Sequence, residues 1–328
     1  METLKVIVTG GAGFIGSHLV RRLIKEGHEV MIIDNLSSGS LQNLADLALK
    51  EDCKVGDLRD YQFTLENLKG ADIIYHLAAD IGSVEYLHGS VERELEALES
   101  NVTIDSNVFR ACIRNGITNL LYTSSVSVYP FSRQLSNDAV FKEEDADAAA
   151  EPEGGYGWAK YLAERELRMM KDVKVAIARI FHAYGENIYL QHDRSQVIAS
   201  LIRKAINYPG EDFVVWGDGK QKRCFVFIDD VIDAIELLRK HSEKNGFLAL
   251  NVGSDEEISI DQLASLIIKL SGKRIEIKHD TSKPTGAMRR IPDLTKIQRM
   301  LGWRPKTSLH DGLKRTYAWA EKRLSAFR

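Results

Sequence analysis

The feature that most constrains the fold is a run of glycines between an apolar segment and an amphipathic one. Residues Leu4–Thr9 have the composition of a buried strand, and Phe14–Glu26 has helical periodicity. Between them, Gly10, Gly13 and Gly16 allow a tight turn, close approach of a pyrophosphate to the backbone, and close packing of helix on strand. The amino end of the helix would then face the phosphate charge. The segment predicts a dinucleotide-binding turn.

Asp34 follows the second predicted strand, 18 residues after Gly16. At that place a carboxylate accepts hydrogen bonds from the adenosine ribose, and it would repel a 2′-phosphate. A solvated aspartate at a strand end is the alternative interpretation, which the preceding glycine turn disfavours. We therefore predict that the cofactor is NAD and not NADP.

Strand and helix patterns alternate through the first half of the chain, which predicts a parallel sheet with helices on both faces. The predicted fold class is α/β, a Rossmann-type doubly wound parallel sheet with a smaller C-terminal α/β substrate lobe. The predicted strands are Leu4–Thr9, Glu29–Ile33, Ile73–Leu77, Asn119–Thr123 and Lys174–Ile180, and the helices are Phe14–Glu26, Val91–Asn115 and Gly157–Met170. We expect the NAD-binding domain over residues 1–180 and 228–253, and the substrate lobe over 181–227 and 254–328.

Composition argues against several kinds of partner. A net charge of −3 gives no general attraction to nucleic acid or to a membrane surface, and no apolar run reaches membrane-spanning length. The three cysteines are scattered, without the spacing of a metal site or a disulfide framework. We expect a cytoplasmic protein with reduced thiols, no signal peptide and no bound metal.

Tyr156 and Lys160 are four residues apart in a helical pattern, which puts both side chains on one face. A phenol has a pKa of about 10, and a nearby ammonium together with a nicotinamide charge would lower it. Tyr156 would then take a proton from a hydroxyl while hydride leaves the same carbon. Ser125 lies at the end of an apolar strand, where ligands bind in parallel sheets. Each pattern alone also fits a surface helix or a turn, but together they predict a catalytic set.

In order along the chain, these residues resemble the extended short-chain dehydrogenase/reductase family, specifically its NAD-dependent nucleotide-sugar epimerases and dehydratases. The resemblance covers nearly the whole chain. Its motifs are Thr9–Leu19, Asp34–Gly39, Gly56–Asp60, His76–Ala79, Asn101, the Ser125 strand end, Tyr156 with Lys160, Arg223 ahead of Phe227–Asp230, and Leu301–Trp303. The resemblance implies an enzyme that acts on a nucleotide-linked sugar.

The resemblance also implies a set of ligand contacts. The implied NAD contacts are Gly10, Gly13, Phe14, Ile15, Gly16, Asp34, Asn35, Ser38, Gly39, Asp57, Leu58, Leu77, Ala78, Ala79, Asn101, Tyr156 and Lys160. The implied substrate contacts are Ser125, Ser127, His182, Arg223 and Arg290. The two arginines would grip the diphosphate, because guanidinium groups match phosphate oxygens. Surface solubility is the alternative interpretation for each arginine.

Branches of the family differ two residues before Tyr129, where this chain has Ser127. Dehydratases and decarboxylases carry an acid there, GDP-mannose 3,5-epimerases a cysteine, and 4-epimerases a small hydroxyl residue. Because Ser127 is neither an acid nor a thiol, removal and return of hydride at C4 fits best. We predict C4 epimerisation of a UDP- or GDP-sugar through a transient 4-keto intermediate.

Other features favour other reactions. Segments such as Ala78–Gly82, Tyr129-Pro130 and Trp216–Gly219 look more like GDP-mannose 3,5-epimerases. His182 stands where relatives have an asparagine that touches the substrate, and it is interpreted as a ligand contact, an additional acid/base or a packed histidine. A 3,5-epimerase, a dehydratase, a 4-oxidase and a non-enzymatic cofactor sensor stay open as alternatives.

A homodimer is expected from the resemblance, since relatives pair through the helices that match residues 91–115 and 157–170. The second helix has more apolar residues than one core-facing side needs. They are Trp158, Tyr161, Leu162, Leu167 and Met170.

NAD should copurify with the protein, because a closed pyrophosphate cradle and an internal redox cycle both favour its retention. The check is to denature the purified protein and identify the released nucleotide by chromatography. Release of mainly NADP would contradict the argument from Asp34.

Overall fold

A computed structural model describes residues 3–47, 52–192, 194–283 and 285–325. The strands are Lys5–Thr9 (β1), Glu29–Asp34 (β2), Cys53–Val55 (β3), Ile73–His76 (β4), Asn119–Ser125 (β5), Val140–Phe141 (β6), Lys174–Ile180 (β7), Ala183–Tyr184 (β8), Val214–Trp216 (β9), Lys222–Cys224 (β10), Val226–Phe227 (β11), Leu248–Val252 (β12), Glu257–Ser259 (β13), Lys278–Asp280 (β14) and Arg289–Pro292 (β15). The α-helices are Phe14–Lys25 (α1), Tyr61–Asn67 (α2), Val84–His88 (α3), Val91–Arg114 (α4), Phe131–Gln134 (α5), Asp145–Ala148 (α6), Gly154–Met169 (α7), Val197–Asn207 (α8), Ile228–Asn245 (α9), Ile260–Ser271 (α10), Thr295–Leu301 (α11) and Leu309–Ser325 (α12). Two short 3₁₀ turns lie at Leu41–Leu44 and Val126–Val128.

Seven strands form one parallel sheet in the order β12-β7-β5-β4-β1-β2-β3. Its central strands are buried on both faces, which is why they read as continuous apolar runs. Helices α1 and α9 contribute to the core on one face, and α2, α4 and α7 to the core on the other. The predicted α/β doubly wound fold is confirmed.

The chain leaves β1 towards β2 and β3 on one side, and continues from β4 to β5 and β7 on the other. The boundary between β1 and β4 is therefore the topological switch point of the sheet, outside whose carboxyl ends ligands bind. The glycine turn follows β1 directly, so it lies at this switch point. The order of the strands thus puts the predicted dinucleotide turn at the ligand-binding edge.

The remaining strands form small sheets beside the large one. One has four strands, in the order β13-β10-β15-β6, and the others pair β8 with β11 and β9 with β14. The division of the chain into two lobes stays a prediction, and one pairing crosses it. Strand β6 belongs to the predicted first lobe but pairs with β15 of the second, while Phe141 packs against Tyr129.

Several element boundaries differ from the predictions. Helix α7 begins at Gly154, three residues before the predicted Gly157, because the pattern of apolar residues gives no signal in its first turn. Leu167 and Met170 are buried in the core and are not surplus apolar surface.

No helix within the described ranges is long and apolar enough to cross a membrane.

A buried ion pair fastens helix α7 to the sheet. Arg179 on β7 is 1% exposed, and its Nε and Nη2 donate to the two carboxylate oxygens of Glu164 at 2.9 and 2.6 Å. Ser124 at the end of β5 donates to the same carboxylate at 2.6 Å. The pair therefore ties the helix of Tyr156 to two neighbouring strand ends.

Replacing Arg179 with methionine should lower the free energy of unfolding by about 3–5 kcal/mol, because Glu164 is left as an unpaired buried charge. Urea denaturation measures this loss. The double variant Arg179→Met/Glu164→Gln should recover part of it. Lys278→Met, which breaks an exposed pair with Asp212, is the matched control and should change stability little. An equally small effect at Arg179 would show that the pair does not hold α7.

Candidate active site

One cavity of about 690 Å³ runs along the carboxyl ends of the parallel strands. Gly10 and Asp34 line one end, Tyr156 lies in the middle, and Trp216 and Arg223 line the other end. The cavity therefore spans from the glycine turn of the large sheet to the small sheets beside it.

The glycine turn packs too tightly for side chains. A Cβ on Gly10, whose φ is +69°, would lie 2.8 Å from the backbone nitrogen of Ala78, and one on Gly16 would lie 2.1 Å from the carbonyl oxygen of Gly10. Helix α1 begins after Gly13, which offers no side-chain cap, so its first N–H groups are left to the cavity. This is the arrangement that holds a pyrophosphate.

Asp34 is buried at the end of β2 and lines the cavity. Its carboxylate accepts hydrogen bonds from the backbone nitrogens of Ala12 at 3.0 Å and Leu36 at 2.8 Å. Burial raises the pKa of Asp34, and these two hydrogen bonds oppose the increase. The fixed carboxylate can accept hydrogen bonds from an adenosine ribose. Because this position holds a carboxylate and not a cation, it does not suit a 2′-phosphate.

Every other predicted cofactor residue lines this cavity except Asn101. Asn101 is fully buried, and its amide exchanges hydrogen bonds with the backbone nitrogen and oxygen of Asp80 at 2.8 and 3.0 Å. It therefore supports the loop after β4 from behind, and it does not face the ligand. A sequence motif does not show whether a residue lines the cavity or lies behind the residues that line it.

Ser125, Tyr156 and Lys160 converge in the middle of the cavity. Ser125 ends β5 and lies near enough to the phenol of Tyr156, in the first turn of α7, to lower its pKa. The Lys160 ammonium lies 5.9 Å from the centre of the Tyr156 ring and 4.4 Å from that of Tyr122. The strand end and the helix thus bring together the three groups predicted from the sequence.

The pKa of the Tyr156 phenol is raised, mainly by burial, and the nearby Ser125 only partly opposes this. Burial also lowers the pKa of Lys160, against the charges of Asp105 and Glu164. Burial and then the charge of Asp105 raise the pKa of Tyr156, so the expected lowering by Lys160 is not found. The positive charge of an oxidised nicotinamide beside the phenol would oppose the effect of burial.

A buried network that the sequence analysis missed supports these groups. His76 at the end of β4 joins Thr9 Oγ1 at 2.7 Å to Asp105 Oδ1 at 2.9 Å, and Tyr122 donates to Asp105 Oδ2 at 2.7 Å. Asp105 lies within α4, where its spacing gives no sign of a role. The network connects the glycine turn to the surroundings of Lys160.

Two arginines stand side by side at the far end of the cavity. Arg223 on β10 and Arg290 on β15 are paired in register on neighbouring parallel strands. Arg223 Nη1 donates to the carbonyls of Lys222 and Met288 at 2.8 and 3.5 Å. Burial and the charge of Arg290 lower the pKa of Arg223 to about 9. Two buried guanidinium groups with one carboxylate nearby form a site for an anion.

His182 lies between the catalytic set and the arginines on the cavity wall. Its backbone is in the left-handed region at φ 44°, which is unusual for a residue other than glycine. Its ring packs 5.8 Å from that of Phe225, and within the described residues its buried Nε2 has no hydrogen-bond partner. Burial, then Arg223 and Arg290, lower the pKa of His182 well below its ordinary range. This lowered pKa favours the neutral ring, which suits a ligand contact better than a proton donor.

The cavity also contains a carboxylate that the sequence analysis missed. Glu153, the N-cap residue of α7, receives a hydrogen bond from the Ser127 hydroxyl at 3.3 Å and forms an ion pair with Arg290. Residue 127 is a serine, but the expectation that no carboxylate is available there is wrong, because Glu153 reaches it from another segment. A glutamate three residues before Tyr156 gave no signal of this contact.

The fold and the site define an α/β enzyme that binds a nicotinamide dinucleotide beside a Ser-Tyr-Lys set. The model of the NAD dependent epimerase/dehydratase family matches residues 6–253, and the chain belongs to that family. It is an NAD-dependent enzyme of the nucleotide-sugar epimerase/dehydratase family.

Its relatives differ in reaction. The chain is 32% identical to GDP-mannose 3,5-epimerase 1 of Oryza sativa subsp. japonica, over 98% of this chain and 83% of that protein. It is 30% identical to the UDP-N-acetyl-alpha-D-glucosaminuronate decarboxylase of Bacillus cytotoxicus, over 96% and 97%. The structure of UDP-glucose 4-epimerase from Thermotoga maritima with UDP-glucose matches with a TM-score of 0.86 at 27% identity, over 98% of this chain and 100% of that chain.

Tyr156→Phe should reduce turnover by about 10²–10⁴-fold, because the phenol oxygen is the expected proton acceptor. Binding of NAD and of substrate should be nearly unchanged, since only one hydroxyl is lost. Tyr161→Phe is the matched control on the same helix outside the cavity wall. Steady-state kinetics and equilibrium binding measure the two effects, and turnover near wild type would eliminate Tyr156 as the base.

Proposed function

We propose that the protein epimerises a UDP- or GDP-linked sugar at C4 through a transient 4-keto intermediate. The observation that carries the proposal is the convergence of Ser125, Tyr156 and Lys160 between a dinucleotide cradle and a paired-arginine anion site. A sugar held between these two ends would present one ring hydroxyl to the phenol. Bound NAD would accept hydride from the same carbon and return it to the opposite face.

The residues of this chain would handle the proton and the oxygen. Tyr156 takes the proton from the C4 hydroxyl, and Ser125 holds the oxygen by a hydrogen bond as it becomes a carbonyl. The Lys160 ammonium lies 5.9 Å from the centre of the Tyr156 ring, and the added charge of an oxidised nicotinamide would favour the phenolate form. Returning the proton from Tyr156 to the oxygen completes either epimer, so the cycle needs no further acid or base.

The substrate class rests on the two arginines. Arg223 is a nearly buried guanidinium whose described hydrogen bonds go to carbonyl oxygens, so its charge lacks a carboxylate in direct contact. A diphosphate would supply the missing negative charge to Arg223 and Arg290 together. The relatives act on both neutral and acidic sugars by their names: one is a GDP-mannose epimerase, and another is a decarboxylase of a UDP-linked glucosaminuronate.

A 3,5-epimerase is the second candidate, and Glu153 beside Ser127 favours it together with the rice relative. A carboxylate there can take a proton from a carbon next to a 4-keto group. Burial raises the pKa of Glu153, but the charge of Arg290 and its hydrogen bond lower it, and the pKa lies below its ordinary value. The carboxylate is therefore a weaker base. We therefore rank C4 chemistry first. A dehydratase or a 4-oxidase would share the first oxidation at C4.

We also propose that two copies associate through α4 and α7. These helices pack against each other, and they leave large apolar side chains in solvent. The exposed residues are Val91, Leu95, Trp158, Leu162 and Met169. Burying such a patch is a strong driving force for association.

The two candidate reactions differ in whether solvent deuterium enters the sugar at C3 or C5, since both pass the C4 hydrogen to the cofactor and back. In C4 epimerisation, deuterium placed at C4 of the substrate should stay in the product, since it moves to the cofactor and back. In D₂O no solvent deuterium should enter at C3 or C5. NMR of the product made from UDP- and GDP-sugars tests both points. Incorporation at C3 or C5 would sink the C4 proposal, and it would promote Glu153 or His182 to an acid/base.

A further inference from the structure

One oxygen of Glu153 joins three parts of the site. Oε2 accepts the hydrogen bond from Ser127 and also contacts Arg290 in the ion pair. The backbone nitrogen of Glu153 donates to the carbonyl of Ser127 at 3.0 Å, and Glu153 precedes the helix of Tyr156. The carboxylate thus lies where the β5 end, α7 and the second lobe meet, and it lines the cavity.

Arg290 holds this carboxylate in place. Its Nε donates to Gln134 Oε1 at 2.7 Å while its Nη2 contacts Glu153, so two sides of the guanidinium are already committed. Glu153 is 8% exposed, and Arg290 is the main positive charge that acts on it, followed by His88 and Arg223. Because an ionised carboxylate has only acceptor oxygens, Glu153 can offer hydrogen bonds only to donors.

The charges in this end of the cavity set a limit on the ligand. The two guanidinium groups and the Glu153 carboxylate together carry a net positive charge. The negative charge of a bound diphosphate is already larger than this positive charge. A sugar hydroxyl is a donor that Glu153 and Ser127 can bind. A carboxylate on the sugar would bring a second negative charge beside Glu153, whose ion pair with Arg290 is already formed, and like charges in a partly dry site repel strongly.

We propose that Glu153 binds hydroxyl groups of the sugar and makes the site select a neutral nucleotide-linked hexose over the corresponding uronate. This inference rests on the proposed nucleotide-sugar substrate and does not depend on whether C4 or C3 and C5 react. Arg290 is then a positioning residue for Glu153, and Arg223 carries more of the diphosphate contact. The Ser127 hydroxyl donates a hydrogen bond to Glu153. The lone pairs of the Ser127 oxygen can then accept a hydrogen bond from a sugar hydroxyl.

Calorimetric titration of the NAD-loaded protein tests the selection. UDP, UDP-glucose and UDP-glucuronate are compared, with GDP, GDP-mannose and GDP-mannuronate as the parallel series. The wild-type protein should bind the neutral sugar at least about tenfold more tightly than the uronate. Glu153→Gln should bring the two affinities within about threefold of each other, whereas Glu153→Asp keeps the charge and should keep the preference.

Asp80→Asn is the matched control, because Asp80 is another carboxylate of the cavity wall that is paired with an arginine, Arg93. It should leave the ratio of the two affinities unchanged. Equal affinity for both sugars in the wild type, or a preference that survives in Glu153→Gln, would overturn the role of Glu153 while leaving nucleotide-sugar binding intact. If no nucleotide or nucleotide sugar bound at all, the proposed function itself would fail.

Discussion

At the glycine turn, the backbone after β1 lies against the backbone after β4 with no room for a side chain. A Cβ at Gly10 would be 2.8 Å from Ala78 nitrogen, and one at Gly16 would be 2.1 Å from Gly10 oxygen. This close packing fixes the start of α1 over the switch point of the sheet. The free N–H groups of the helix and the strand end that carries Ser125 therefore open into the same cavity, and the rest of the site is arranged along that edge.

Desolvation decides the charge of the groups in that cavity. Burial raises the pKa of Tyr156 and lowers the pKa values of Lys160, His182 and Arg223. All four shifts favour the form with less charge. A positively charged nicotinamide near the phenol and a diphosphate near the arginines would each reverse part of this cost. The electrostatics of the cavity therefore favour a positive charge beside the phenol and a negative charge beside the arginines.

The arginine end of the cavity depends on contacts between segments that are far apart in the chain. Strand β6 pairs with β15, Gln134 and Glu153 both contact Arg290, and Glu153 immediately precedes the helix of Tyr156. A ligand bound at the arginines therefore touches a residue that is continuous with the catalytic helix. Tertiary packing therefore fixes the distance between the paired arginines and the phenol.

The parallel sheet, the glycine turn, Asp34 and the Tyr156–Lys160 pair could be predicted from the sequence, because each depends on spacing within one element or on the order of elements. Three features required the folded chain: the contacts of Glu153 with Ser127 and Arg290, the place of Asn101 behind the cavity wall, and the raised pKa of buried Tyr156. Glu153 and Arg290 are 137 residues apart, so no local pattern connects them. Local spacing follows from backbone geometry, whereas the removal of a group from water depends on every segment that packs over it.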